Sequence, residues 1–250
     1  MTAAVSLRGL HKRFDQKIAV ESVDLDVPTG TFFGLVGPNG AGKSTTLKMV
    51  TGLLRPDAGT AHVDGIDVWS DPRELKKRIG VVGEDLRLFE RLTGREMLHY
   101  VGLLRGFDRQ EADHRAVQLL AFLGLEEAAG RLVIDYSAGM RKKIALGAAV
   151  LHRPSVLFLD EPFESVDPLS VRLIRDLLEQ LVVGGATVVF SSHVMEVVER
   201  LCDHVAVMHQ GRVVAGGVTA ELCDGRRLED VFVETVGAID TTADLGWLTP

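Results

Sequence analysis

The chain has 250 residues, of which 46% are hydrophobic and 25% are charged. This composition supports a sizeable core and excludes a disordered polypeptide, and the net charge of −7 gives no reason to expect a nucleic acid partner. No segment reaches the ~18 apolar residues of a membrane span, and the first residues do not resemble a signal peptide. Cys202 and Cys223 have no metal-like spacing, so we expect unpaired thiols in a reducing, cytoplasmic compartment.

Two kinds of strand pattern follow one another along the chain. Polar and apolar residues alternate in residues 5–8 and 22–27, and in two short segments joined by the Asp64-Gly65 hairpin signal, which indicates a half-buried antiparallel sheet. Continuous apolar runs, without alternation, predict parallel strands covered on both faces. These runs are residues 31–36, 79–82, 156–159 and 187–190.

A glycine-rich loop follows the first of these apolar runs. It reads Gly37-Pro38-Asn39-Gly40-Ala41-Gly42-Lys43-Ser44-Thr45. This is the G-x-x-x-x-G-K-[ST] pattern in its strand-then-helix setting, where glycines let backbone N–H groups turn around a phosphate. Lys43 supplies a charge for the β- and γ-phosphates, and Ser44 supplies a hydroxyl for Mg²⁺. The loop therefore predicts a nucleoside triphosphate site.

Several helices have readable starts. Asp71 precedes Pro72, Thr93 and Glu96 form a capping box, and Asp167 precedes another proline. Only helical patterns occur from about residue 85 to 135, between two strands of parallel type. A normal crossover needs far fewer residues, so we expect a helical subdomain inserted into an α/β core.

Two carboxylates end the apolar run 156–159. Asp160 and Glu161 would lie at the carboxyl end of a strand, where open α/β sheets bind their ligands. We expect Asp160 to hold Mg²⁺, directly or through water, and Glu161 to polarise the attacking water as a general base. A solvated strand end or a helix cap is the alternative, and the phosphate-binding loop favours the catalytic interpretation.

With these residues in place, the chain resembles the ATP-binding-cassette (ABC) family of ATPases over nearly its whole length. Residues 136–140 read Tyr-Ser-Ala-Gly-Met where the family signature, usually Leu-Ser-Gly-Gly-Gln, is expected before a helix over 141–151. Asp167 occupies the position of the family's D-loop, and His193 that of its switch histidine. Glu84 stands where a glutamine is usual, and Phe14 where an aromatic ring usually stacks on adenine.

Each of these residues also has a structural interpretation. Ser137 and His193 could cap helices, Phe14 could belong to the core, and Asp167 is a helix cap in either case. Their joint order and spacing favour the family assignment. The resemblance implies an α/β P-loop NTPase core with a mostly parallel sheet, an N-terminal antiparallel β subdomain and the inserted helical subdomain. The ABC ATPase domain would span residues 1–221, and residues 222–250 would form a tail of unknown role.

The resemblance also implies a mechanism. Two nucleotide-binding domains close head-to-tail around two ATP molecules, as a homodimer or a heterodimer. His193 would hydrogen-bond the γ-phosphate, and Mg²⁺ would be held by Ser44, Glu84 and Asp160. The signature residues would act on the ATP of the partner domain: Ser137, Ala138, Gly139 and Met140.

Some residues depart from the family pattern. In the signature, three positions differ from the usual residues: Tyr136, Ala138 and Met140. Phe163 follows Pro162, where threonine is frequent in the family. Glu84 adds a negative charge beside the phosphates. The Tyr-Ser-x-Gly-Met form with an acidic residue at the glutamine position resembles cassettes of ABC-2-type exporters.

We therefore expect an ATPase subunit that drives export through a separate membrane permease, peripheral on the cytoplasmic face of the membrane. An apolar cluster would receive the permease, with ordinary core packing as its alternative: Leu86, Leu88, Phe89 and Leu92. Two other functions are open, a soluble ABC ATPase that remodels a protein or nucleic acid complex and a module that binds nucleotide without turnover.

Overall fold

A ten-stranded sheet forms the centre of the computed structural model, which describes residues 3–237. Its spatial order is β5-β4-β1-β2-β10-β9-β3-β8-β7-β6. The strands are β1 (Ala3–Phe14), β2 (Lys17–Pro28), β3 (Phe32–Val36), β4 (Ala58–Val63), β5 (Ile66–Asp67), β6 (Ile79–Val82), β7 (Val156–Asp160), β8 (Thr187–Ser192), β9 (His204–His209) and β10 (Arg212–Val218).

The apolar runs form the parallel half of the sheet, as predicted. Strand β3 lies between β8 and β9, β7 lies between β6 and β8, and all four pairings are parallel. Every residue of β3, β7 and β8 is buried. The strands extend further than the apolar runs at their carboxyl ends, since β7 includes Asp160 and β8 includes Ser191 and Ser192. Polar residues that later form the site therefore belong to the sheet itself.

The antiparallel half lies at the other edge of the sheet, also as predicted. Strand β1 pairs with both β2 and β4, and β4 pairs with β5 across the Asp64-Gly65 turn. Both turn residues have positive φ, 49° and 75°, as a two-residue hairpin requires. β1 and β2 are each 12 residues long, well beyond the segments in which alternation is visible.

Nine helices surround the sheet within residues 3–237. They are α1 (Lys43–Val50), α2 (Pro72–Arg78), α3 (Gly94–Leu104), α4 (Arg109–Phe122), α5 (Ala138–Val150), α6 (Pro168–Val183), α7 (Met195–Leu201), α8 (Thr219–Cys223) and α9 (Leu228–Val236). The predicted starts are confirmed: Asp71, Thr93 and Asp167 each accept a backbone N–H three residues ahead, and Thr93 and Glu96 complete a capping box.

Between residues 85 and 135 the regular elements are α3, α4 and a short 3-10 helix (Val133–Asp135). The expected helix over 141–151 was wrong at its start, because α5 already begins at Ala138. Ser137 caps it by accepting the N–H of Met140 at 3.3 Å, so the signature residues lie in the first turn of the helix.

The core lies on both faces of the sheet. Successive side chains of a strand point to opposite faces. Val156 and Phe158 accordingly belong to one buried cluster, with α1 and the antiparallel strands. Leu157 and Leu159 belong to the other, with α3 to α7. The carboxyl end of β7 is thus fixed from both sides.

Residues 222–237 contribute to this core. The expected boundary after residue 221 falls inside α8, and Cys223 and Leu228 are both buried in the cluster under α5 and α7. Helix α9 follows, with Val231 also buried. The remainder of the predicted tail, residues 238–250, lies outside the described residues.

Candidate nucleotide site

The phosphate-binding loop connects β3 to α1. Gly42 caps α1 in the left-handed region, at φ 104°, and a Cβ at Gly37 would lie 2.2 Å from the carbonyl oxygen of Met208. Only glycine fits these two positions without displacing backbone. The Lys43 ammonium folds back over the loop and donates to the carbonyl oxygens of Gly37 at 2.7 Å and Pro38 at 3.3 Å. The loop therefore surrounds a buried cation next to the start of a helix, which is a favourable place for phosphate.

Asp160 meets two hydroxyl groups at the end of β7. Its Oδ1 accepts hydrogen bonds from Ser44 Oγ at 3.0 Å and from Ser191 Oγ at 2.5 Å. The residue is only 6% exposed. Ser191 comes from the neighbouring strand β8, so three different elements converge on one carboxylate.

Glu161 begins the loop after β7 and has a positive φ of 48°. Its Oε1 lies 3.6 Å from Lys43 Nζ, and its Oε2 lies 3.1 Å from His193 Nδ1. The backbone N–H of His193 points to the same Oε2 at 3.4 Å. The carboxylate is thus placed between the lysine of the phosphate-binding loop and the histidine that follows β8, as a residue acting on a terminal phosphate would need to be.

An open cavity of about 440 Å³ joins the phosphate-binding loop to Glu161 and His193, while Asp160 does not line it. Its lining includes most of the predicted site: Phe14, Asn39, Gly40, Ala41, Gly42, Lys43, Ser44, Thr45, Glu84, Glu161 and His193. Phe14 is 46% exposed at the cavity wall, which contradicts the alternative of a core residue. His193 does not cap α7, because the N-cap position is Val194 and has no side-chain hydrogen bond.

The residues around Asp160 fit a magnesium ion. Mg²⁺ prefers oxygen ligands and usually combines one or two carboxylates with phosphate oxygens and waters. The Ser44 hydroxyl and the Asp160 carboxylate already lie together, and Glu84 faces the same cavity. Within residues 3–237 no group of three or more His, Cys, Asp or Glu side chains is arranged to hold a metal, and a phosphate-bound Mg²⁺ does not require one.

The signature residues do not join this cavity. Ser137 and Ala138 are exposed at the start of α5, and none of residues 137–140 lines the cavity of the same chain. Gly139 lies beside Asp167, since a Cβ there would be 3.3 Å from the Asp167 carboxylate. The exposed helix start is therefore available to a ligand outside its own phosphate-binding loop.

Two residues near the site, Ser191 and Lys142, were missed in the sequence, and Phe163 was noted there without a role. Ser191 is a completely buried partner of Asp160, and the two serines after the apolar run 187–190 were a possible signal. Phe163 makes an edge-to-face contact with Phe190, with ring centroids 5.6 Å apart. Lys142 donates to the carbonyl oxygen of Glu161 at 2.9 Å, and no sequence pattern indicates such a contact.

The comparison with known families decides the assignment. A family model described as ABC transporter matches residues 20–164. The chain belongs to the ABC transporter family. As an ABC ATP-binding subunit, it has ATP hydrolysis as its activity. The resemblance to this family and the fold expected from it are thereby confirmed.

Relatives and solved structures agree with this assignment. The chain is 42% identical to a daunorubicin/doxorubicin resistance ATP-binding protein of Streptomyces peucetius, over 88% of its own length and 67% of that protein's. It is 39% identical to a Nod factor export ATP-binding protein of Burkholderia lata, over 89% of this chain and 73% of that protein. Both relatives are named as ATP-binding proteins, one for drug resistance and one for Nod factor export.

Among solved structures, the chain is similar to an ATP-binding subunit of an ABC transporter, with a TM-score of 0.87 and 29% identity. The match covers 94% of this chain and 100% of that one. A dimeric cassette in a post-hydrolysis state with ADP and phosphate matches with a TM-score of 0.78 and 26% identity, over 86% of this chain and 98% of that one. The α/β P-loop fold with its mixed sheet is therefore shared with known ABC cassettes.

Proposed function

We propose that this ABC subunit drives an exporter by closing head-to-tail with a second cassette around two ATP molecules. The observation that carries the proposal is the separation of two half-sites in one chain. The cavity is lined by the phosphate-binding loop, Glu161 and His193, while none of the signature residues 137–140 lines it, and Ser137 and Ala138 are exposed at the start of α5. Each half-site completes the other only when two chains face each other.

Within one chain, Lys43 and the backbone of residues 37–45 bind the phosphates, and Phe14 stacks on the base. Glu161 acts as the general base for the attacking water, and His193 hydrogen-bonds the γ-phosphate and holds the Glu161 carboxylate. The 3.1 Å contact between His193 and Glu161 supports this pairing. Such catalysis consists of positioning and charge stabilisation.

Mg²⁺ is the metal that we propose for the site, held by Ser44 and Asp160, with Glu84 as a further ligand. When bound, it neutralises charge on the β- and γ-phosphates. Ser191 holds Asp160 in place by donating to its Oδ1.

Across the dimer, Ser137 and the N–H groups near Ala138, Gly139 and Met140 meet the partner's γ-phosphate. Free N–H groups at the start of a helix bind anions, and the helix dipole adds to this. Asp167 lies against Gly139 and belongs to the same contact surface. Hydrolysis removes the phosphate contact and opens the dimer.

A separate permease chain is the membrane partner that we propose, with the subunit bound on the cytoplasmic face. Within residues 3–237 no helix is both long enough and apolar enough to span a bilayer. A second cavity of about 280 Å³ includes Leu86, Leu88 and Phe89 in its lining and is open to a helix of the permease. Leu92 does not line this cavity, and Leu86, Leu88 and Leu92 all pack partly buried against the core. The names of the relatives, in drug resistance and Nod factor export, support export as the direction.

Size-exclusion chromatography of Glu161→Gln with ATP tests the dimer. This change removes the general base and leaves the phosphate-binding loop intact, so we expect a stable dimer with ATP and a monomer without it. Ser137→Arg in the Glu161→Gln background is the matched control, because a bulky cation at the exposed helix start blocks the interface without touching the cavity. A monomer with ATP, or a dimer that tolerates Ser137→Arg, would contradict the proposal.

A further inference from the structure

Lys142 joins the signature helix to the loop that carries Glu161. It lies on α5 five residues after Ser137, and its half-buried ammonium donates to the carbonyl oxygens of Glu161, at 2.9 Å, and Glu164. The N–H of Glu164 points to the carbonyl of Glu161 at 3.3 Å, so these residues form one turn. The Lys142 side chain thus holds the first and the last carbonyl of the turn from Glu161 to Glu164.

This turn depends on outside contacts. Glu161 and Ser165 both have positive φ, 48° and 55°, a region that non-glycine residues avoid. Phe163 anchors the turn on the core side by its contact with Phe190. Lys142 anchors it on the side of α5.

The Lys142 ammonium is half-buried but lies near three carboxylates. Burial lowers the pKa of Lys142, and Glu164, Glu161 and Glu84 act against this and favour the ammonium form. Hydrogen bonds from a charged donor to a carbonyl are also stronger than those from a neutral one. A neutral side chain of similar length would therefore lose the contact with the turn.

A second contact links the same two segments. The Asp167 carboxylate, at the end of the loop, lies against Gly139 in the first turn of α5. The start of α5 and the loop 161–167 are thus connected at two places, one beside the signature and one beside the general base.

We propose that Lys142 is a positioning residue that transmits the partner's nucleotide, bound at Ser137, to Glu161 of its own chain. When the partner's phosphate draws the start of α5 into the interface, Lys142 moves the Glu161 turn with it and places the carboxylate over its own ATP. Hydrolysis at each site then requires occupancy of the other. This inference rests on the head-to-tail dimer of the proposed function.

Lys142→Met tests the inference. We expect kcat at saturating ATP to fall by about 10- to 100-fold, since a misplacement of about 1 Å can cost this much. The Kd for ATP should stay within about twofold, and Lys142→Met in the Glu161→Gln background should still dimerise with ATP. Lys142→Arg keeps the charge and the donors and should recover most of the rate. Lys77→Met is the matched control, because Lys77 lies exposed on α2 and should leave all values unchanged.

A cycle with Ser137→Ala measures the connection itself. If Lys142 carries the effect of Ser137 to Glu161, the two losses in kcat overlap and the double variant is little worse than the poorer single one. Each of four results would overturn the inference. They are losses in kcat that multiply in the double variant, an unchanged kcat in Lys142→Met, a parallel loss of ATP affinity, and no recovery of kcat with Lys142→Arg. If Glu161→Gln with Lys142 intact forms no dimer, the proposed function fails first, and the two failures are distinguishable.

Discussion

At the scale of single residues, Glu84 is the most consequential departure from the family pattern. It is exposed, it lines the nucleotide cavity, and it lies near enough to Lys142 to act on its charge. A glutamate in place of glutamine adds a negative charge beside the phosphates and offers Mg²⁺ a carboxylate ligand. We therefore propose that Glu84 tunes metal binding and is not the base of the reaction.

Glu84→Gln should keep ATP hydrolysis. Because Glu161 and Lys43 remain in place, we expect kcat within about tenfold of the parent and a higher Mg²⁺ concentration for half-maximal activity, since one charged ligand is lost. Steady-state ATPase assays across a Mg²⁺ titration measure both values. Lys43→Ala is the reference for a lost site and should abolish nucleotide binding in calorimetry. An inactive Glu84→Gln would give Glu84 an essential role beyond metal binding.

Residues of the site differ in how far their sequence context predicts them. The apolar runs that form the buried strands can be read directly from the sequence. Four site residues follow these runs, so their convergence at the carboxyl ends of the parallel strands was predictable: Lys43, Ser44, Asp160 and Glu161. Lys142 was not, because its partners are backbone carbonyls 19 and 22 residues away, and any residue type supplies a carbonyl. The geometry of the Glu161 turn decides that contact.

At the scale of elements, Tyr136 links the signature segment to the helical insert. Its hydroxyl donates to the carbonyl of Ala128 at 2.8 Å, and a Cβ at Gly94, the first residue of α3, would lie 2.0 Å from the same hydroxyl. The tyrosine at this position, where leucine is usual in the family, thus pairs with a glycine at the start of α3. The insert and the signature segment therefore fit closely together at this pair.

Gly94→Ala should destabilise the protein, although alanine is the better helix former by about 1 kcal/mol. The new methyl group would collide with the Tyr136 hydroxyl. Tyr136→Phe alone should cost about 1 kcal/mol, since it removes a buried hydrogen bond, while the Ala128 carbonyl still accepts the N–H of Arg131 at 3.0 Å. In the double variant the two costs should not add, because the collision is relieved. Urea unfolding of all four proteins gives the coupling, and a stabilising Gly94→Ala would disprove the pairing.

Short elements were the hardest to predict. The Asp71-Pro72 start and the capping box at Thr93 correctly predicted where α2 and α3 begin. This was possible because side chains at fixed spacing satisfy the first N–H groups of a helix. Helix α8 has five residues and α9 has nine, too few turns for periodicity to stand out. Helix α9 packs on α7, and α8 packs on β10 and α9, contacts that no local pattern shows.

At the scale of the whole molecule, we propose that the ATPase domain continues through α9. Leu228 is fully buried, and its N–H donates to the Glu199 carboxylate on α7 at 2.9 Å. Phe232 contacts the ring of His209 at the end of β9, 6.1 Å between centroids. Helix α9 therefore covers the core beside the strands that support the phosphate-binding loop.

Leu228→Ala tests this extension. If α9 belongs to the domain, the cavity left by the side chain should lower the free energy of unfolding by about 2–5 kcal/mol. Val233→Ala on the same helix is the matched control, because Val233 is 45% exposed and its loss should cost no more than about 0.5 kcal/mol. Urea unfolding followed by far-UV circular dichroism and by loss of ATP binding should give coincident transitions, since one cooperative unit unfolds together. Equal, small effects of both substitutions would show instead that α9 lies on the domain without supporting it, and that the ATPase unit ends before residue 222.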